Sequence, residues 1–293
     1  MKPDLASNCV NLANPANGVN GVNDVNGVND VNGVNGVNDV NGVNLIRFFS
    51  LCNRKALVTG SSRGIGRAVA FALGRAGAKV FFHGASDSPA LRDAVAAARG
   101  EGIDAEPRVA DLGDTAACDR LAADCADADV LVLNASVQSY GHVAEFDDAE
   151  FERMVRTNLR SSFALVRAFA PRMAARGWGR IVSIGSVNQA HPAPRLAIYA
   201  AVKAAQKNLM LTAAKEWAAR GVTVNTVSPG VIATDRNAKV LSDAAFAEPL
   251  RETVPAGRFG TPEDCAGIVL ALCSDACAYV TGADVPVDGG LSL

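Results

Sequence analysis

From Lys55 to Gly84 the chain reads KALV, TGSSRGIG, RAVAFALGRAGA and KVFFHG: a short apolar run, a glycine-rich turn, a helical pattern and a second apolar run. A strand that leaves through a tight turn into a helix and returns as a strand is a βαβ unit, and its two strands lie parallel. The alternation continues downstream. PALRDAVAAARGEG reads as a helix ending at glycine, AEPRVADL as a short strand, and DTAACDRLAADCADA as an alanine-rich helix with Asp114 or Thr115 as its N-cap. DVLVLNA, GRIVSIGS, GVTVNTVSPG and ADVPVDGG read as further strands, and 148–177 and 195–221 read as long helices. Strands alternating with helices predict a parallel sheet covered on both faces. The expectation is an α/β fold: one Rossmann-type doubly wound parallel sheet of about seven strands with helices on both faces.

Such sheets bind ligands at the carboxyl ends of their strands, and a glycine turn entering a helix is a phosphate site. Glycine is needed there because the backbone turns sharply and must come close to a pyrophosphate. The spacing is Gly60-x-x-x-Gly64-x-Gly66, which differs from the GxGxxG dinucleotide fingerprint, and a glycine turn with no ligand is the plain alternative. NAD enzymes place an acid at the end of the second strand, on the ribose 2′-hydroxyl. Here that end reads His83, Gly84, Ala85, Ser86, with no carboxylate before Asp87. Arg63, inside the turn, offers a guanidinium to an extra phosphate. Both features favour NADP(H), with NAD(H) as the alternative.

Tyr199 and Lys203 stand four residues apart in YAAVK, about one helical turn, so a phenol and an ammonium share a helix face. A free tyrosine, with a pKa of about 10, is a poor acid or base at neutral pH. A neighbouring ammonium favours the phenolate and should bring that pKa down. Ser186, at the end of the strand RIVSIGS, is placed to hold a substrate oxygen beside the phenol. Together the three groups can move a proton on or off an alcohol or carbonyl oxygen. Taken alone, the Tyr/Lys spacing is more often ordinary packing.

TGSSRGIG, then Asn134 in LVLNAS, Asn158 in RTNL, Ser186, Tyr199, Lys203 and SPGVIAT occur in this order. That order resembles the short-chain dehydrogenase/reductase family from about Arg54 to the C-terminus. The resemblance implies that Gly60, Ser62, Arg63, Gly64, Ile65 and Gly66 form the phosphate-binding turn. Asp111 and Leu112 match the pair at the adenine, and Asn134 and Ala135 the segment behind the cofactor. Pro229, Gly230, Ile232 and Thr234 match the segment at the nicotinamide. Asn158, Ser186, Tyr199 and Lys203 match the catalytic tetrad, in which Tyr199 and Lys203 also face the cofactor. In that pattern Lys203 holds the nicotinamide ribose, and Asn158 anchors a water joining Lys203 to bulk solvent. The activity implied is hydride transfer between nicotinamide and a ketone or secondary alcohol, in the manner of ketoacyl-carrier reductases or sugar and polyol dehydrogenases. One departure is visible: LNAS replaces the usual NNAG, so Leu133 and Ser136 stand where the family has asparagine and glycine. A catalytically silent relative on the same fold is the rival reading, and an epimerase or dehydratase a third. Those last enzymes usually carry a longer C-terminal part than this chain shows after its seventh strand.

The rest of the chain sets bounds. Residues 17–44 repeat NGV or NDV, with valine as the single apolar type, and cannot build a core. Residues 1–50 are therefore expected to be a low-complexity, flexible tail, and 51–293 the nucleotide-binding catalytic domain. Residues 234–255 have weak regularity and by position form a substrate lid. Arg236 and Asn237 there could read a polar or anionic substrate, and Asn188, Gln189 and His191 could line the pocket. A net charge of −2 argues against nucleic-acid binding, and no long apolar run suggests a membrane span. The seven cysteines show no CxxC or zinc spacing, so no metal site is expected, and reduced thiols point to the cytoplasm. The partner expected is a small-molecule substrate, with assembly into a tetramer through the helices bearing Asn158 and Tyr199 implied by the resemblance.

Overall fold

The computed structural model describes residues 45–293. The repeat at 17–44, and most of the predicted tail, lies outside the described residues. The strands are β1 (Lys55–Val58), β2 (Lys79–Gly84), β3 (Ala105–Val109), β4 (Val130–Leu133), β5 (Gly179–Ile184), β6 (Val222–Pro229) and β7 (Asp284–Val287). They form one sheet in the order β3-β2-β1-β4-β5-β6-β7, and every neighbouring pair is parallel. The helices are α1 (Leu45–Phe49), α2 (Gly64–Arg75), α3 (Pro89–Gly100), α4 (Thr115–Asp124), α5 (Asp148–Met154), α6 (Ser161–Ala175), α7 (Ala197–Trp217), α8 (Asp235–Leu241), α9 (Ala244–Glu252) and α10 (Pro262–Cys273).

Successive strand residues point to opposite faces, and the core divides accordingly. Ala56, Val58, Val80, Phe82, Val130 and Val132 pack on one face with α2, α3 and α10. Leu57, Phe81, Leu131 and Leu133 pack on the other with α4, α6 and α7. Every residue of β4 and β6 is buried, as a strand covered on both faces requires. β3 is an edge strand with alternating burial, and it carries Pro107, whose missing N–H is tolerated at an edge. The strand order reverses beside β1, which pairs with both β2 and β4, so the crevice opens beyond their carboxyl ends.

Three local features depart from the sequence reading. The predicted helix over 148–177 is divided into α5, a π-helical turn at Val155–Arg160, and α6. Val155, Thr157 and Asn158 are weak helix formers, and the wide turn buries Asn158. The sequence puts Cys273 and Cys277, four apart, on one helix; Cys277 instead lies in a 3₁₀ turn at Asp275–Cys277, and Cys273 ends α10, whose earlier part is not anticipated. Its start is nonetheless written in the chain: Thr261 and Asp264 form a capping box, with Pro262 at the first helical position. Residues 234–255 hold two short helices, α8 and α9, rather than an irregular loop. Cys118, Cys125, Cys265, Cys273 and Cys277 are free thiols, whereas Cys52 is disulfide-bonded, against the expectation that all are reduced. No helix among the described residues is long and apolar enough to cross a membrane.

Candidate active site

β1 hands the chain to α2 through the glycine turn. Gly60 and Gly64 adopt φ of +64° and +55°, a region that side chains disfavour. A Cβ on Gly66 would lie 2.3 Å from Asn134 Nδ2 and 2.4 Å from the Gly60 carbonyl oxygen, so nothing larger fits. Arg63, at the N-cap of α2, makes no side-chain cap, which leaves the first amides of the helix available to an anion.

The turn is stitched to β4 by Thr59 and Asn134. Thr59 Oγ1 donates to the Val132 carbonyl (3.1 Å) and accepts from the amides of Asn134 (2.9 Å) and Ala135 (3.1 Å). Asn134 Nδ2 donates back to the carbonyls of Thr59 (2.9 Å) and Gly60 (3.0 Å). The LNAS departure thus leaves the segment anchored, with Leu133 in the apolar core. On the other side His83 ties the turn to β2 and β3. The Gly60 amide donates to His83 Nδ1 (3.0 Å), and Nε2 lies 3.0 Å from the Ala110 carbonyl oxygen. Burial pushes the imidazole down to about 4, so it is neutral, accepting at Nδ1 and donating at Nε2. The end of β2 therefore carries a committed histidine, and the first carboxylate beyond it, Asp87, is paired with Arg92.

At the other end of the cleft, α7 brings Tyr199 and Lys203 against the end of β5. Tyr199, Ser186 and Arg236 line the same cleft, and Ser186 and the Arg236 guanidinium both act on the Tyr199 phenol. Ser186 Oγ accepts from the Asn188 amide (3.2 Å) and from Asn188 Nδ2 (3.3 Å). Burial raises the Tyr199 phenol above its ordinary value, and the groups drawing it back are Arg236 and Ser186. The expected pull by Lys203 is not the one that acts. Its Nζ is 5.9 Å from the ring centroid, and burial pushes its own pKa down to about 7, so it is only partly an ammonium at neutral pH.

Lys203 Nζ donates to the Ile184 carbonyl (2.6 Å) and to Gln206 Oε1 (3.0 Å). Gln206 Nε2 donates to Ser162 Oγ (2.7 Å), which donates to the Asn158 carbonyl (2.8 Å). Lys203 and Asn158 are thus joined by a buried chain of side chains. The Asn158 side chain is used elsewhere: it accepts from the Val137 amide and donates to the Val137 carbonyl, both at 2.8 Å. Gln206 and Ser162 are absent from the sequence-based site. Gln206 had a signal, a polar residue one turn beyond Lys203 on the same buried face; Ser162 had none.

A cleft of about 1800 Å³ joins the two ends. That exceeds the volume usual for one small ligand and leaves room for a dinucleotide beside a substrate. Of the predicted site residues, all but Gly66 and Asn158 line it. Those two stand behind it, Gly66 under Asn134 and Asn158 within the π turn. Asn188, His191, Arg236 and Asn237 also line the cleft, whereas Gln189 turns away. Its Nε2 donates to Ser228 Oγ (2.7 Å) and Asp284 Oδ2 (2.9 Å). Arg236 Nη2 donates to the carbonyl (2.7 Å) and hydroxyl (3.1 Å) of Ser136, the residue that replaces the family's glycine.

Comparison with known proteins agrees with this arrangement. A family model described as enoyl-(acyl carrier protein) reductase matches residues 60–292. Gluconate 5-dehydrogenase of Gluconobacter oxydans is 36% identical over 84% of this chain and 97% of that protein. The 3-oxoacyl-[acyl-carrier-protein] reductase FabG of Pseudomonas aeruginosa is 37% identical over 83% of this chain and 99% of its own length. A crystal structure of a gluconate 5-dehydrogenase from Burkholderia cenocepacia, in complex with NADP and tartrate, superposes with a TM-score of 0.79 at 34% identity. That likeness covers 84% of this chain and 98% of that one. The glycine turn, the segment behind it and the Ser186–Tyr199–Lys203 cluster lie within the matched span, and the chain belongs to the short-chain dehydrogenase/reductase family.

Proposed function

We propose that this chain is an NADP(H)-dependent oxidoreductase that moves a hydride between nicotinamide and a ketone or secondary alcohol. The observation that carries it is one cleft with two chemistries. Tyr199 and Ser186 line one end beside buried Lys203, and a glycine cradle with an uncapped helix start stands at the other. The cradle fits a dinucleotide pyrophosphate, since the Cβ absent from Gly66 keeps the turn closed around Asn134 and the amides of α2 are free. Arg63 has no carboxylate partner among the described residues, and β2 ends without an acid, which supports the 2′-phosphate of NADP. Relatives crystallised with NADP support the same preference.

When bound, NADPH supplies the hydride. Tyr199 gives its proton to the oxygen that becomes the alcohol, or takes it back in oxidation. Ser186 holds the same oxygen and stabilises its negative charge. Lys203, fixed by Ile184 and Gln206, stands ready to refill the phenol. Asn158 supports this machinery through Ser162 and Gln206 rather than by its own side chain. Asp111 and Leu112 serve the adenine end, Asn134 and Ala135 the back of the cofactor, and Pro229, Gly230, Ile232 and Thr234 the nicotinamide end. Residues 51–293 act as one catalytic unit, with 234–255 as its lid. The substrates named for the relatives, sugar acids and carrier-bound oxoacyl groups, are the first to try.

Assembly into a tetramer belongs to the same proposal, supported by Phe151 and Phe163, which stand exposed on α5 and α6. So does a cytoplasmic location, supported by the five free thiols among the described residues and opposed by the bonded Cys52. Sedimentation and cell fractionation test these two.

The deciding experiment titrates NADPH and NADH by fluorescence, then follows absorbance with oxoacyl thioesters, ketoses, diketones and polyols. NADPH should bind at least about tenfold more tightly. Tyr199→Phe should keep NADPH binding and lose about 10²–10⁴-fold in turnover. Failure of both nucleotides to bind would remove the enzyme reading in favour of a silent scaffold.

A further inference from the structure

The arginines lining the cleft fall into two groups. Arg153 and Arg156 are neutralised by Glu150 and Glu152. Arg63, Arg195 and Arg236 line the cleft with no carboxylate partner among the described residues. Arg63 stands at the cofactor end. Arg236 and Arg195 stand at the other, where the substrate must lie if Tyr199 is the acid. Arg195 is held at φ +66°, a strained position for an arginine.

Arg236 is the more informative. It comes from the lid helix α8, yet Ser136, on the loop after β4, fixes its Nη2 through two hydrogen bonds of 2.7 and 3.1 Å. A glycine at 136 would offer the carbonyl alone. The guanidinium lines the same cleft as Tyr199 and Ser186, and its charge is felt at both Tyr199 and Lys203. Two carboxylates share this end of the cleft. Asp243 spends an oxygen on the Ala245 amide (3.1 Å) as the N-cap of α9, and Asp235 is the chain neighbour of Arg236. Neither forms an ion pair with Arg236. A planar, fixed cation beside the proton donor suits an anion that arrives with the substrate.

We propose that Arg236 binds a carboxylate of the substrate, one or two carbons from the reacting carbonyl, so that the preferred substrates are 2- or 3-oxo acids and the corresponding hydroxy acids. The distance follows from placement. The reacting oxygen meets Tyr199 and Ser186, and a guanidinium on the same cleft whose charge acts on both Tyr199 and Lys203 meets groups close to that oxygen. Ser136 takes up Nη2 alone, so the rest of the fork faces the cleft. The proposal rests on the oxidoreductase reading above, and its test separates the two.

The test compares matched carbonyls in which an acetyl group replaces the carboxylate: pyruvate against 2,3-butanedione, and acetoacetate against 2,4-pentanedione. Each is reduced with NADPH by the wild type, Arg236→Gln and Ser136→Gly. The readout is the ratio of kcat/KM for acid over diketone. The wild type should favour the acids. Arg236→Gln should lower that ratio about 10²-fold, the scale of a lost charge-assisted pair at a site built for it. Ser136→Gly, which loosens the guanidinium without removing it, should lower it by a smaller factor. A ratio unchanged in Arg236→Gln overturns the proposal, and if NADPH binding weakens at the same time the cation serves the cofactor phosphates instead. A wild type that reduces diketones or larger ketones but favours neither acid overturns the proposal and leaves the oxidoreductase standing. A wild type that reduces no carbonyl takes both down.

Discussion

His83 joins three pieces of the cofactor end through one neutral ring: the Gly60 amide, the Ala110 carbonyl and, through its own amide, Ser61 Oγ at 2.8 Å. Its role follows from burial, which no reading of HGAS at the end of a strand reveals. The ordinary histidine pKa is 6.5, and here it is pushed down to about 4. A folded value below the unfolded one means that the unfolded chain binds more protons between these limits. Stability is then full above about pH 6.5 and falls as the pH drops toward 4, by up to about 3 kcal/mol. Thermal melts of wild type and His83→Gln between pH 4 and 8 check this. The variant, whose amide can still accept from Gly60 and donate to Ala110, should lose the acid-side slope; equal slopes would show that His83 is not held neutral. Tyr199, Lys203 and Ser186 were legible because their chemistry is unusual and their spacing fixed. Gln206 was not, and Arg236 was legible only as a candidate for a polar or anionic substrate, because their partners, Ser162 and Ser136, are far away in sequence and meet them only in the fold.

At the scale of elements, the glycine turn works because a strand, a turn and a helix start are packed against a fourth segment, β4. Gly66→Ala places a methyl group against Asn134 Nδ2 and the Gly60 carbonyl. It should destabilise the protein by about 1–3 kcal/mol, as overpacking does, and weaken NADPH binding at least about tenfold. Gly267→Ala is the control, since a Cβ there meets nothing within 4 Å in the middle of α10. It should stabilise by about 1 kcal/mol, the helix preference of alanine over glycine. Melting curves and NADPH titration of both variants decide, and equal behaviour of the two would remove the close-packing argument. The π turn is the element that periodicity missed. Helical spacing carries 148–177 as one helix, and one wider turn inside it changes the register of apolar residues too little to be seen.

At the scale of the whole molecule, the cleft is assembled from the ends of β1, β2, β4, β5 and β6 and from residues 234–250, so the cofactor bridges segments distant in the chain. Binding to the folded state alone should therefore stabilise all of it. NADPH at about one hundred times its Kd should add about 2.7 kcal/mol, raising Tm by about 5–10 °C for a domain of this size. NADH at the same concentration should raise it less, and an equal rise would reverse the cofactor preference. The chain by itself determined the parallel α/β sheet, because apolar runs and glycine turns alternate at the spacing that βαβ units require. It also determined the proposed acid–base trio and anion cradle, because those depend on neighbours within a turn or a short loop. Tertiary structure alone decided what tunes them. Burial raises the Tyr199 phenol and lowers Lys203, and the charge that draws the phenol back comes from Arg236 in α8. Desolvation and long-range contact are properties of packing, and residues that meet across the fold leave no periodic trace in the order of the chain.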